Sequence, residues 1–95
     1  MQAVFACNDM MALGAVEAIS AVQKNGKIIV VGFDAINDSR AAILGGTMNA
    51  SIAQHPEEMG KLAVEYAVKA IRGESVPAEI PVRIELITKE QLTSR

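Results

Sequence analysis

The sequence predicts an α/β fold, a parallel sheet built by the order βαβαβα with one further edge strand at its end. Three observations predict it. Short apolar runs at residues 3–6, 27–32 and 48–53 are each followed by a stretch with helical periodicity. Gly26, Gly45-Gly46 and Gly73 close the helical stretches and Pro56 opens the last of them. After Val76-Pro77 and Pro81 the pattern changes to alternation of apolar and charged residues. Strand–helix alternation of this kind gives parallel strands joined by right-handed crossovers.

Ala3 to Ala6 is an apolar run of the length and type found in buried parallel strands. Asn8 or Asp9 then supplies a helix cap. From Met10 to about Lys24, Met11, Ala15, Ala18, Ile19 and Val22 recur at spacings of three and four, and Glu17, Ser20 and Lys24 fall opposite. Gly26 is expected to close that helix. Lys27 to Gly32 is continuously apolar after its lysine, which reads as a central strand covered on both faces, ending at Phe33-Asp34.

A short helix is expected from Asn37 to Leu44, with Asn37, Asp38 and Ser39 offering capping oxygens and Gly45-Gly46 stopping it. Met48 to Ala53 forms the third strand. Pro56 then stands in the first turn of a long helix, Glu57 and Glu58 complement its positive end, and Arg72-Gly73 closes it. Met59, Leu62, Ala63, Tyr66, Ala67, Ala70 and Ile71 make a wide apolar stripe along it. Beyond Pro77 and Pro81, Ile80, Val82, Ile84 and Leu86 alternate with Arg83 and Glu85, the pattern of a half-exposed edge strand.

Composition narrows the function classes. The chain has 95 residues, 51% of them hydrophobic, and a formal net charge of -2. Such a balance describes a globular piece and not a cationic nucleic-acid binder. The single Cys7 cannot form an intrachain disulfide, and no stretch approaches the roughly 20 apolar residues that span a bilayer. A chain that opens on a core strand, with no preceding cap or signal peptide, reads as one cut from inside a longer protein.

Three strand-like runs end in polar side chains, at Asn8-Asp9, at Asp34 and at Gln54. In open α/β sheets small ligands bind beyond the carboxyl ends of the strands, so an amide, a carboxylate and a second amide could converge on one ligand there. A carboxylate accepts strongly and an amide both donates and accepts, which suits adjacent hydroxyl groups. Each residue has a plainer reading. Asn8 and Asp9 are ordinary capping residues, Asp34 could stabilise a turn, and Gln54 could satisfy backbone groups. Asp9 is assigned to the cap.

The succession VFACNDMMALGAVEAI, then IIVVGFDAINDSRAAILGGTMNASIAQHPEEMG, then RGE and the tail IPVRIELITKEQL, resembles the C-terminal third of periplasmic ribose-type sugar-binding proteins. The resemblance covers essentially the whole chain. It implies a fragment of a type I periplasmic-binding-protein-like fold, in which two α/β lobes close on a sugar and deliver it to the permease of an ABC importer. Residues 1–54 and 82–95 would belong to the C-terminal lobe, and 55–81 to the N-terminal lobe. The matching sugar contacts are Asn8, Asp34 and Gln54, and the implied compartment is periplasmic or otherwise extracytoplasmic.

A lactose-repressor-type effector lobe shares the fold and the VVGFD element, and is the alternative, although no DNA-reading helix-turn-helix is present here. An enzyme and a cofactor are not expected, because no metal-ligand cluster, phosphate-cradling glycine loop or nucleophile–base pair stands out. Cys7 reads as a small, partly buried thiol beside the site, and His55 as a hinge or cap residue. Phe5, Phe33 and Tyr66 read as core. Three polar contacts of about 0.5–1.5 kcal/mol each fall short of an association cost of about 4–15 kcal/mol, so the chain alone is expected to bind sugar poorly. Its exposed apolar surface would favour a homodimer.

Overall fold

The computed structural model describes residues 1–93. The chain forms β1 (Ala3–Phe5), α1 (Asp9–Ala21), β2 (Ile29–Phe33), α2 (Asn37–Gly45), β3 (Ala50–Ala53), α3 (Pro56–Ile71), β4 (Glu85–Thr88) and α4 (Lys89–Thr93). These elements divide into two compact units. One contains Met1–Ala53 and the described residues from Glu85 on, and the other is Gln54–Ile84.

The first unit is a four-stranded sheet in the order β1-β2-β3-β4. β1, β2 and β3 are parallel, and β4 runs antiparallel along the outer edge of β3. Because the strand order advances in one direction, two crossovers of the same hand lay α1 and α2 on the same face. That face holds the core, where Ala12, Val16 and Ile19 of α1 and Ile43 of α2 meet Val30, Met48, Ala53 and Ile87.

Among the described residues of this unit, the other face of the sheet carries no helix. Register places Phe5 beside Val31, Val31 beside Ala50, and Phe33 beside Ile52, which in turn faces Leu86. Phe5 is 60% exposed, Ile29 52% and Leu86 54%. This corrects two expectations: within this unit β2 is central but has helices on one face only, and Phe5 is a surface residue. Phe33 and Tyr66 are half-buried.

Helix α1 is rotated from its expected phase. Its buried residues are Asp9, Ala12, Val16 and Ile19, whereas Met11 and Val22 are exposed. The segment is apolar nearly all round, so periodicity alone could not choose the face. The helix also stops at Ala21 with Gln23 in the left-handed region, before Gly26 is reached. At α2 the expected side-chain caps are not used: Ile36 is the N-cap residue without a side-chain cap bond, and Ser39 is fully buried. Gly46, at φ 86°, closes α2 as a left-handed C-cap.

Gly32 faces the core in mid-strand. A Cβ there would collide with the Asp9 carboxylate and would stand 2.7 Å from Met48 Cε and 3.0 Å from Ala12 Cβ. The missing side chain is what lets α1 approach the sheet.

In β4 the register sets Ile87 against Ser51 and buries it, while Leu86 points to the open face. The expected alternation through Leu86 therefore breaks. In the second unit, Ile80 and Val82 instead line a hollow of about 230 Å³ with Met59, Leu62 and Ala63 of α3. Pro56 opens α3, Arg72 is its C-cap and no residue of the helix is fully buried. Lys69 Nζ lies 5.1 Å from the centre of the Tyr66 ring.

Gly32→Ala should destabilise the chain by about 1–3 kcal/mol, the usual range for overpacking a closed core. Urea denaturation followed by circular dichroism measures it, and an unchanged midpoint would show that α1 does not depend on this close approach.

Candidate functional site

β1, β2 and β3 all point the same way, and at the carboxyl ends of the first two the chain leaves through Asn8 and Asp34. Beyond β1, the Ala6 N–H donates to the Val31 carbonyl at 2.8 Å and keeps the exit close to β2. Asn8 then stands at the N-cap of α1, where its Oδ1 accepts from the Met11 N–H at 2.9 Å. The cap role assigned to Asp9 therefore belongs to Asn8. With its oxygen engaged, the amide's Nδ2 is the donor end that Asn8 can offer a ligand.

Asp34 directly follows β2 and is exposed. Its φ is 120° and that of Ala35 is 55°, two consecutive non-glycine residues at positive φ. Such backbone persists only where its surroundings over-determine it. Here the Asp34 N–H donates to the Ile52 carbonyl at 2.8 Å, the Ala35 N–H to Ser51 Oγ at 3.0 Å, and the Ile36 N–H to Asp9 Oδ2 at 2.9 Å. Arg40 Nε donates to the Ala35 carbonyl at 2.9 Å, and the Arg40 N–H to the Ile36 carbonyl at 3.0 Å.

Asp9 is 1% exposed. The Ser51 hydroxyl donates to its Oδ1 at 2.7 Å while accepting from Ala35. A carboxylate removed from water is tolerated when its oxygens are hydrogen-bonded, and both of these are. Its negative charge also lies at the N-terminal ends of α1 and α2, where the helix dipoles favour it.

Gln54 is bonded to Ala53, the last residue of β3, and opens the second unit. Within that unit Gln54, His55, Pro56, Glu57 and Glu58 line an open hollow of about 280 Å³. His55 is the N-cap residue of α3, without a side-chain cap bond. Cys7 is exposed and not the partly buried thiol that was expected.

In the first unit the structure thus brings Asn8 and Asp34 to one end of the sheet and joins their loops through Asp9. Sequence reasoning missed Asp9, Ser51, Arg40 and Gly32 as parts of this arrangement. One signal was available, a lone glycine in an otherwise continuous apolar strand, which marks a close approach. No group of three or more metal-ligating side chains occurs among the described residues. What the arrangement offers is a carboxylate on a fixed turn and an amide at the same end of the sheet, groups able to hydrogen-bond hydroxyls.

Comparison with known proteins shows the family. A family model for the periplasmic binding protein domain matches residues 1–75. The chain is 47% identical over 89 residues to the ribose import binding protein of Haemophilus influenzae, covering 94% of this chain and 30% of the relative. It is 44% identical over 90 residues to the ribose import binding protein of Escherichia coli, covering 95% of this chain and 30% of that protein. Among solved structures, the periplasmic solute binding protein of an Actinobacillus succinogenes ABC transporter, with bound D-allose, superposes with a TM-score of 0.85 at 33% identity. That match covers all of this chain and 33% of the other. The chain spans about 30% of the length of the curated relatives it matches. With the family model matched across β1, β2 and β3 and across α1, α2 and α3, the chain belongs to the periplasmic binding protein domain family.

Proposed function

We propose that this chain is part of a monosaccharide receptor, for ribose or a related sugar, that works outside the cytoplasm and hands its ligand to the permease of an ABC importer. It binds the sugar and does not convert it. The observation that carries this reading is the exposed Asp34 carboxylate on a turn whose three successive N–H groups, at 34, 35 and 36, are each engaged by the protein. A carboxylate held this way meets a sugar hydroxyl without first losing conformational freedom, which is how a preorganised site gains affinity. The similarity to two ribose import binding proteins and to a D-allose-bound structure supports the ligand class.

Asn8, Asp34 and Gln54 are the polar contacts in this reading. Residues 1–54 and 82–95 belong to one lobe of the receptor and 55–81 to the other. The division of the chain into two units, the second being Gln54–Ile84, supports a break near these positions, although it sets Gln54 and residues 82–84 with the second unit. In the whole receptor the apolar sheet face of Phe5, Ile29 and Leu86 lies under further chain, since parallel sheets are covered on both faces. Expressed alone, the chain uses that face to form a homodimer.

Two experiments test these statements. By calorimetry the isolated chain should give no heat with D-ribose or D-allose. The Haemophilus influenzae receptor with its matching segment replaced by this chain should bind ribose, and Asp34→Asn in it should lower the affinity at least about tenfold, the worth of one charge-assisted hydrogen bond. Micromolar binding by the isolated chain, or an Asp34→Asn receptor of unchanged affinity, would overturn the reading.

Light scattering on the isolated chain should give the mass of a dimer at high concentration, and the double variant Phe5→Lys, Leu86→Lys that of a monomer. A wild-type chain that stays monomeric would remove the self-association statement.

A further inference from the structure

We infer that Asp9 and Ser51 are positioning residues for the sugar-binding carboxylate of Asp34, and that this pair holds the 34–36 turn before any ligand arrives. The inference rests on the proposed binding role of Asp34, and adds to it the part of the protein that aims that residue.

Asp9 belongs to α1, Ser51 to β3, and the turn to the β2–α2 connection, so three separate elements meet at one hydrogen-bonded cluster. Asp9 and Ser51 are buried to within 1% of full burial, which prevents either from reaching a ligand. Their hydrogen bonds instead end on the backbone N–H groups of Ala35 and Ile36. Those are the two residues that follow Asp34, and the turn they fix is the one with positive φ at Asp34 and Ala35. Neither residue favours that conformation unaided. Helix α2 has no side-chain cap bond at its N-cap residue Ile36, and the Asp9 carboxylate accepts from that residue's N–H, joining Asp38 of the first turn as negative charge at this helix end. Gly32 is bare because a Cβ there would occupy the place of that carboxylate.

The geometry separates this role from a general contribution to stability. Removing Asp9 deprives the Ile36 N–H of its acceptor and the Ser51 hydroxyl of its own, whereas the β1–β2 and β2–β3 ladders remote from the turn keep theirs. Among these are the Ile29 N–H on the Gln2 carbonyl and the Asn49 N–H on the Val30 carbonyl.

Amide hydrogen exchange by NMR on the ligand-free 95-residue chain tests it. In Asp9→Ala the Ala35 and Ile36 amides should exchange about tenfold faster or more, while Ile29 and Asn49 change little, because local opening is set by local bonds. Ser51→Ala, a smaller change in volume, should release the Ala35 amide in the same selective way and serves where Asp9→Ala does not fold. Ile43→Val, which only thins the core, should speed all of these amides together. Uniform acceleration in both Asp9→Ala and Ser51→Ala, or none at the turn, would overturn the inference.

In the ribose-binding chimaera, Asp9→Asn should weaken binding about tenfold, and the double variant with Asp34→Asn should be no weaker than Asp34→Asn alone. Additive losses would mean that Asp9 does not act through Asp34. If Asp34→Asn leaves ribose affinity intact, the binding assignment of Asp34 falls, and the amide result still decides whether Asp9 and Ser51 hold the turn.

Discussion

A carboxylate buried inside a 95-residue α/β domain requires compensation on every side, and much of the first unit can be understood as what the Asp9 side chain needs. Both oxygens must find donors, which are the Ser51 hydroxyl and the Ile36 N–H. The carboxylate must have room, so β2 carries a glycine beneath it. A serine must stand on β3 where the neighbouring core positions hold apolar side chains. The helix that bears Asp9 must turn it inward, and positions 12, 16 and 19 then follow into the core at spacings of three and four.

The same cluster explains why the β2–α2 turn can be unusual. Two consecutive residues at positive φ cost roughly 1–3 kcal/mol each when nothing supports them. Here, bonds from β3, α1 and Arg40 hold the turn from three directions. Asp34 is thus an exposed residue on a backbone fixed by its neighbours, which is the arrangement the proposed binding role calls for. The buried part of the arrangement holds the turn that carries the exposed Asp34.

Topology accounts for the apolar surface. A sheet that grows in one direction with crossovers of one hand has both helices on one face, and no described helix of this unit lies on the other. The apolar phase of the C-terminal segment changes for a related reason. Ile80 and Val82 lie against α3 in the second unit, and Ile87 enters the sheet of the first, so one period-two pattern could not serve both.

The sequence by itself determined the order and type of the main elements, the proline start of α3, the ends of β2 and β3, and the strand-end positions of Asn8, Asp34 and Gln54. These depend on apolar runs, turn residues and caps, which are local chemistry. The motif succession was also enough to indicate the family. Tertiary structure alone decided which face of α1 is buried, that Asn8 and not Asp9 caps it, that Phe5 and Leu86 face outward, and that α2 begins without its own cap. The reason is physical. In a helix apolar nearly all round, such as α1, local pattern leaves the rotation open. It is settled by a hydrogen bond between residues 9 and 51, 42 positions apart, that forms only when the sheet has assembled.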